Sequence, residues 1–162
     1  MPNANRDKGL RAERDVAQYF RDAGIATAER RVVTGWHRTD RSDPDLGDIK
    51  GVPGVCIQVK DVVDSYPRGL AGKALADVMA QTMTQCEASG EVVPLLIEKR
   101  ARIANPGEWW AWLPGNIYSA ITTGCDPYGH AMIGKSYPVR TELHNIITQL
   151  VQFSAMCSEE AA

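Results

Sequence analysis

No run of about 18 apolar residues occurs in this chain of 162 residues, which leaves no segment able to cross a bilayer as a helix. Cysteine is sparse and poorly spaced for metal. Cys56, Cys86, Cys125 and Cys157 form no CxxC pair, and the histidines do not stand at zinc-finger spacing from them. A structural zinc is therefore disfavoured, and reduced, mostly buried thiols are the expectation. Repeats, low-complexity tracts and a recognisable linker are all missing. An excess of one charge is missing too: the net charge is −2, whereas DNA-binding domains are usually basic. The opening stretch MPNANRDKGLRAERD is too polar for a secretory signal, so a cytoplasmic protein is expected.

What is present fits one compact domain, since domains typically run to about 100–200 residues. With 44% apolar and 23% charged residues the chain can bury an ordinary core. Its charge is unevenly spread. Between Arg6 and Arg41 nine Arg or Lys face six Asp or Glu, and then Asp43, Asp45 and Asp48 crowd together. A basic region leading to an acidic point suits a metal site acting on a polyanion, although a solvated surface would read the same way.

Apolar residues at helical spacing (Leu10, Val16, Ala17 and Phe20) predict a helix over 7–23, ended by Gly24. An extended segment over 26–33 and a polar loop over 34–46 follow. Two short runs, 47–52 and 55–61, hinge on Val52-Pro53-Gly54 and read as a β-hairpin. A second helix is expected over 69–89, strands over 91–99 and 108–113, and a closing helix over 141–153. Pro94 is an objection to the first of those strands, because proline cannot donate to a ladder. The region 114–137 carries no clear pattern. Helix, strands, helix, strands, helix predicts an α/β or α+β arrangement.

The stretch GDIKGVPGVCIQVKD, residues 47–61, carries the chemistry. Alternate side chains of a strand point to opposite faces. Val55, Ile57 and Val59 therefore share one face, and Cys56, Gln58 and Lys60 the other. With a turn at 52–54, Asp48 falls opposite Gln58, where Cβ atoms of facing residues are roughly 4.5–5.5 Å apart. A carboxylate, an amide oxygen and an ammonium then converge. A hard cation such as Mg²⁺ takes oxygen ligands of this sort, and a neighbouring lysine can orient water and offset developing charge. Asp48 is the expected metal anchor, Gln58 a neutral second ligand, and Lys60 the group beside the nucleophile. Glu13 lies within the apolar stripe of the first helix, where an unpaired charge is costly, and is a candidate fourth member. Its other reading is a helix-edge residue paired with Arg11 or Arg14.

A Glu on the first helix, then Gly-Asp-Ile, a short hairpin and Gln-x-Lys on a strand together resemble the PD-(D/E)xK nuclease superfamily. Within it, the chain is most similar to Holliday junction resolvases of the archaeal and phage type. Those open on a basic helix with G-x-x-x-E-R, here Gly9-Leu10-Arg11-Ala12-Glu13-Arg14. An arginine-bearing strand follows, to which Arg30-Arg31-Val32-Val33-Thr34-Gly35 is similar, with Thr where Ser is usual. The likeness covers about residues 8–61 and a following helix and strand.

It implies a restriction-endonuclease-like α/β core with a central mixed β-sheet flanked by helices. It also implies a Mg²⁺- or Mn²⁺-dependent endonuclease acting on branched or junction DNA as a homodimer, in host cytoplasm if phage-encoded. The implied arrangement is a single nuclease domain over 1–162, with the motifs in about 7–113 and an extension over 114–162. The implied catalytic set is Glu13, Asp48, Gln58 and Lys60, with Asp48, Gln58 and Glu13 on the metal. Two departures stand out. Gln58 replaces the usual acidic residue, so metal should bind more weakly than at an all-carboxylate site. Pro44-Asp45 supplies the literal Pro-Asp pair, which keeps Asp45 as a second metal candidate although Asp48 suits a short hairpin better. Lys8, Arg11, Arg30, Arg31, Thr34, Arg38 and Arg41 are candidate DNA contacts, since arginine matches phosphate geometry. Trp109, Trp110 and Trp112 can stack on bases, fill the core or support a subunit interface. His37, in the loop ahead of the acidic motif, is a weaker candidate for touching substrate.

Overall fold

A computed structural model describes residues 4–32, 45–125 and 136–160. Thr34, His37, Arg38 and Arg41, singled out above, lie outside them, as do Asp43, Pro44 and His130. The chain folds as an α/β protein around a mixed six-stranded sheet in the order β1-β2-β3-β4-β5-β6. The strands are β1 (Glu29–Arg30), β2 (Ile49–Lys50), β3 (Val55–Lys60), β4 (Val93–Glu98), β5 (Trp110–Pro114) and β6 (Pro138–Glu142). Only β3 and β4 run parallel; every other neighbouring pair is antiparallel. A parallel pair needs a crossover, and helix α2 (Gly72–Ser89) supplies it.

Helices cover both faces. On one, α1 (Ala4–Asp22), α3 (Gly115–Thr123) and α4 (Ile147–Glu160) close over Val55, Ile57, Val59, Leu95, Ile97, Ala111 and Leu113. On the other, α2 lays Leu75 and Met79 against Leu96 and Trp112. A strand covered on both faces has no solvent side, which explains why five of the six β3 residues are buried, Gln58 among them. Among the described residues, no helix is long and apolar enough to span a membrane. The cysteines are free thiols; Cys56 and Cys86 are buried, while Cys125 is exposed.

The α1 stripe is shifted from the expected one. Ala12, Val16, Ala17 and Phe20 are buried, and Leu10 only half so. The expected helix over 141–153 instead opens as strand β6 and a 3-10 turn, Leu143–Asn145, before α4 begins. The reason is tertiary: residues 138–142 complete the edge of β5, with Thr141 opposite Ala111. Residues 114–162 are therefore integral to the core, to which they give Ile117, Ile121, Leu143, Ile146 and Leu150. Pro94 is accommodated because its strand's ladder with β5 runs over Leu96–Glu98, past the residue that lacks a donor.

The β2–β3 hairpin is held to the segment before β1 at Gly51. The Thr27 hydroxyl donates to the Gly51 carbonyl at 2.6 Å. Gly51 has φ +78°, and a Cβ there would overlap the Thr27 carbonyl oxygen. Gly51→Ala is expected to cost roughly 2–3 kcal/mol, from left-handed backbone strain together with the overlap. Gly9→Ala, in α1 with open space around it, should instead stabilise by about 0.5–1 kcal/mol through helix propensity. Urea denaturation of both variants checks the opposite signs.

Candidate active site

Asp48 stands where β2 leaves the sheet. Ile49 pairs with Ile57, so the next step of the ladder sets Asp48 opposite Gln58. Its backbone N–H still donates to the Ile57 carbonyl at 2.8 Å, and its own carbonyl accepts from Arg31 at 2.7 Å. Beyond this point, among the described residues, the chain before β2 offers β3 no further backbone partner. The Asp48 side chain takes over: Oδ2 accepts from the Val59 N–H at 2.7 Å. Burial pushes this carboxyl above the ordinary aspartate range, against the pull of the Val59 bond and the Lys60 charge, with Asp45 adding to the push.

Glu13 comes from the middle of α1, whose neighbouring positions Ala12, Val16 and Phe20 pack into the core. Its side chain is 18% exposed and pairs with Arg30 on β1 at 3.4 Å. The partner is thus Arg30, rather than Arg11 or Arg14 along the helix. Burial raises the Glu13 carboxyl first and the Asp48 charge raises it next, while Arg30 and Arg14 pull it down by less. Two desolvated carboxylates from different elements therefore feel one another across the end of the hairpin.

Gln58 is 2% exposed. Its Oε1 lies 2.6 Å from the Thr82 hydroxyl of α2, which also lies 2.9 Å from the Val78 carbonyl. A hydroxyl carries one proton and can satisfy only one of these acceptors at a time. When that proton goes to Val78, a half-turn of the amide lets Gln58 Nε2 donate to Thr82 and releases Oε1. Asp45 is held apart from this arrangement. Its Oδ2 accepts from Gln85 Nε2 of α2 at 2.7 Å, and its Oδ1 accepts from the Gly47 N–H at 3.4 Å. Asp48, not Asp45, is the carboxylate whose charge reaches Glu13.

Lys60 ends β3, half-buried on the Gln58 face, and its charge acts on Asp48. The candidate DNA contacts divide. Arg30 is committed to Glu13, Arg31 is half-buried, and Arg11 is exposed. Lys8 is exposed and bonded to Asp64 at 2.5 Å, which brings the start of α1 to the loop after Lys60. The tryptophans separate in the same manner. Trp109 is core, and Trp112 is buried against α2 with its indole donating to Glu98 at 2.8 Å. Trp110 is half-exposed beneath the guanidinium groups of Arg100 and Arg140.

Sequence reasoning missed Thr82 and Gln85. The signal was present, because Leu75, Met79, Thr82 and Cys86 follow helical spacing and put a hydroxyl in an apolar stripe.

Among the described residues, no three His, Cys, Asp or Glu side chains gather closely enough to hold a metal ion. The nearest approach to such a group is the pair Asp48 and Glu13, close enough for the charge of one to act on the other, with Gln58 opposite Asp48 in the ladder and its amide turned to Thr82. Asp48 Oδ1 and Glu13 Oε1 have no protein partner among the described residues, because the Val59 N–H bonds Oδ2 and the Arg30 guanidinium bonds Oε2. Two such oxygens, desolvated and mutually repelling, suit a hard divalent cation.

Both raised carboxyls make native stability depend on pH. Unfolded, Asp and Glu titrate near about 3.9 and 4.3. Between those values and the raised native ones the folded chain binds more protons, so stability falls as pH rises through that window. Asp48→Asn should therefore be more stable than the unmutated protein at pH 7 and equal to it below about pH 4. Urea titrations from about pH 3 to 8 read this directly, and parallel curves for the two proteins would count against it. Comparison with family models, with curated proteins and with solved structures finds no match for this chain.

Proposed function

We propose that the protein is a Mg²⁺- or Mn²⁺-dependent DNA endonuclease on a restriction-endonuclease-like core, acting on branched or junction DNA. The observation that carries this reading is the placement of Asp48 just ahead of β2, opposite Gln58 and with its Oδ2 on the Val59 N–H, beside the strand that ends in Lys60. Each carboxyl is raised by burial, the Asp48 charge bears on Glu13, and the Lys60 charge bears on Asp48. Burying two like charges beside each other is costly unless a cation uses them. Asp48, Glu13 and the amide oxygen of Gln58 are the residues that would hold that cation. A divalent ion there supplies Lewis-acid polarisation of a phosphodiester.

The remaining roles belong to the chain itself. Lys60 orients water for in-line attack and offsets charge on the phosphate. Arg30 neutralises Glu13 in the resting state. Lys8 and Arg11, exposed on α1, contribute positive charge toward a polyanion. The resolvase form of the reading adds a homodimer, because a four-way junction needs two symmetric cuts and a two-fold axis provides two sites.

A DNA-binding module without catalysis is the second reading, favoured by one observation: Gln58 carries no charge and its Oε1 is engaged by Thr82.

Cleavage assays separate these readings. With Mg²⁺ or Mn²⁺, the unmutated protein should cut a four-way junction by paired symmetric nicks, in preference to flap, single-stranded and plain duplex DNA. Lys60→Ala should lower the rate on the order of 10²–10³-fold while leaving DNA affinity intact. Absence of cutting with either metal supports the binding module, and preference for another substrate supports a different nuclease of the same fold.

Metal binding gives an independent reading. Mg²⁺ at about a hundred times its dissociation constant should stabilise the protein by about 2.7 kcal/mol, a shift of several degrees in Tm, and Asp48→Asn should blunt it. Gln58→Glu should tighten Mg²⁺ binding by calorimetry, since it adds a charged ligand. Unchanged affinity would remove Gln58 from the ligand set.

A further inference from the structure

Beyond the Lys60 end of β3 lies a cleft of about 290 Å³, lined by Tyr66, Arg68, Glu98, Lys99, Arg100 and Trp110 among others. Its floor is next door to the candidate active site. Glu98 is the register partner of Lys60 on the parallel strand β4, and neighbouring strands lie about 4.8 Å apart. The volume is at the low end for small-molecule sites. It suits one base with its sugar and phosphate rather than a duplex.

The walls are fixed in place. The turn after β3 is closed by the Tyr66 N–H on the Val62 carbonyl at 2.7 Å and the Gly69 N–H on the Tyr66 carbonyl at 2.8 Å. Gly69 permits this turn to lie on Glu98, where a Cβ would stand 2.9 Å from Oε1. Both oxygens of Glu98 are engaged, Oε1 by the Leu70 N–H and Oε2 by the Trp112 indole. The carboxylate thus holds the floor together instead of facing the cleft as a bare charge. Arg100 is fixed by Glu142 at 2.7 Å and the Glu108 carbonyl at 2.8 Å, with its guanidinium 4.1 Å from the Trp110 ring centre. It presents a rigid planar cation, a surface on which bases stack. Tyr66, 43% exposed, offers an aromatic face. Lys99 is tied to Asp61 at 2.9 Å. Arg68 is exposed and has no acidic partner among the described residues, so its charge is available to a phosphate.

We infer that this cleft is a subsite for one unpaired nucleotide of a DNA strand, its base against Tyr66 and the Arg100 guanidinium and its phosphate on Arg68. The inference rests on the nuclease reading of the adjacent site and narrows it: the strand that reaches Lys60 carries an unpaired nucleotide next to the bond being cut. Single-stranded ends supply such a nucleotide, and so does a branch point whose terminal base pair opens on binding, whereas a plain duplex does not.

The test is fluorescence anisotropy with the full chain in EDTA, so that no cutting enters the measurement. The probes are labelled single-stranded and fully paired oligonucleotides, with free dAMP as competitor. Tyr66→Ala and Arg68→Ala, both at exposed positions, should each weaken single-strand binding roughly tenfold, as expected for loss of one stacked base or one phosphate contact. Duplex affinity should change less than twofold, and Tyr66→Phe should bind as the unmutated chain does. Equal losses on both DNAs, no loss on either, or failure of the unmutated chain to bind the single strand overturns the subsite. Competition by dAMP at the strand's own affinity also overturns it, because the cleft would then serve a free nucleotide. Selective loss in a protein that cuts nothing with Mg²⁺ or Mn²⁺ leaves the subsite standing and removes the nuclease reading. Cutting without selective loss does the reverse.

Discussion

The bond from the Val59 N–H to the Asp48 carboxylate is the constraint on which the candidate site depends. Strand β2 is only two residues long and cannot supply β3 with backbone acceptors along its full length. A backbone donor left unpaired inside a sheet covered by helices on both faces would cost about 1–3 kcal/mol. Asp48 relieves that cost with a side chain, so an acidic group becomes part of the ladder. Its position is then set by the sheet and not by a flexible loop. The same bond also limits what the carboxylate can do. One oxygen is used to hold the strand, and the other remains for chemistry.

Around this fixed charge the rest of the local electrostatics is arranged by elements that come from far along the chain. Helix α1 brings Glu13, and β1 brings the arginine that restrains it. Helix α2 brings Thr82 to Gln58 and Gln85 to Asp45. As the crossover joining β3 to β4, α2 covers the Gln58 face of the sheet directly. The polar residues in its buried stripe answer the polar residues of β3. Without Thr82, α2 would bury the Gln58 amide oxygen with nothing to meet it, which is the expensive way to close a sheet.

Much of this was legible from local pattern. Period-two alternation separated Val55, Ile57 and Val59 from Gln58 and Lys60, and the hairpin length put Asp48 across from Gln58, as the register has it. Glu13 stood out because a charge occupied an apolar helical stripe, although its partner could not be read. Arg30 is seventeen residues away and meets Glu13 only through the packing of α1 on β1. The C-terminal third was the least legible part. Residues 138–142 carry no strong strand signal and become a strand because β5 has an edge to fill, a tertiary preference that overrides local propensity. The cleft beside Lys60 was invisible for a related reason. Tyr66, Arg68, Arg100 and Trp110 sit on three separate segments whose meeting is decided by the parallel pairing of β3 with β4.

An amide at position 58 has a physical logic of its own. Glu13 and Asp48 are already raised by burial, and Asp48 adds to the strain on Glu13. A third carboxylate in a position 2% exposed would deepen that repulsion whenever no cation is bound, and the folded chain would bear the cost continuously. Gln58 contributes an oxygen of the same reach with no charge to desolvate, and Thr82 holds it in place with a hydroxyl whose single proton has two acceptors to choose between. Both acceptors lie within reach of that hydroxyl, at 2.6 Å for Gln58 and 2.9 Å for Val78, so turning the amide would free its oxygen without leaving the Thr82 hydroxyl unpaired. On the proposed nuclease reading, such a site would tolerate being empty better than an all-carboxylate one and would hold a cation less tightly, because one of its three oxygens brings no charge.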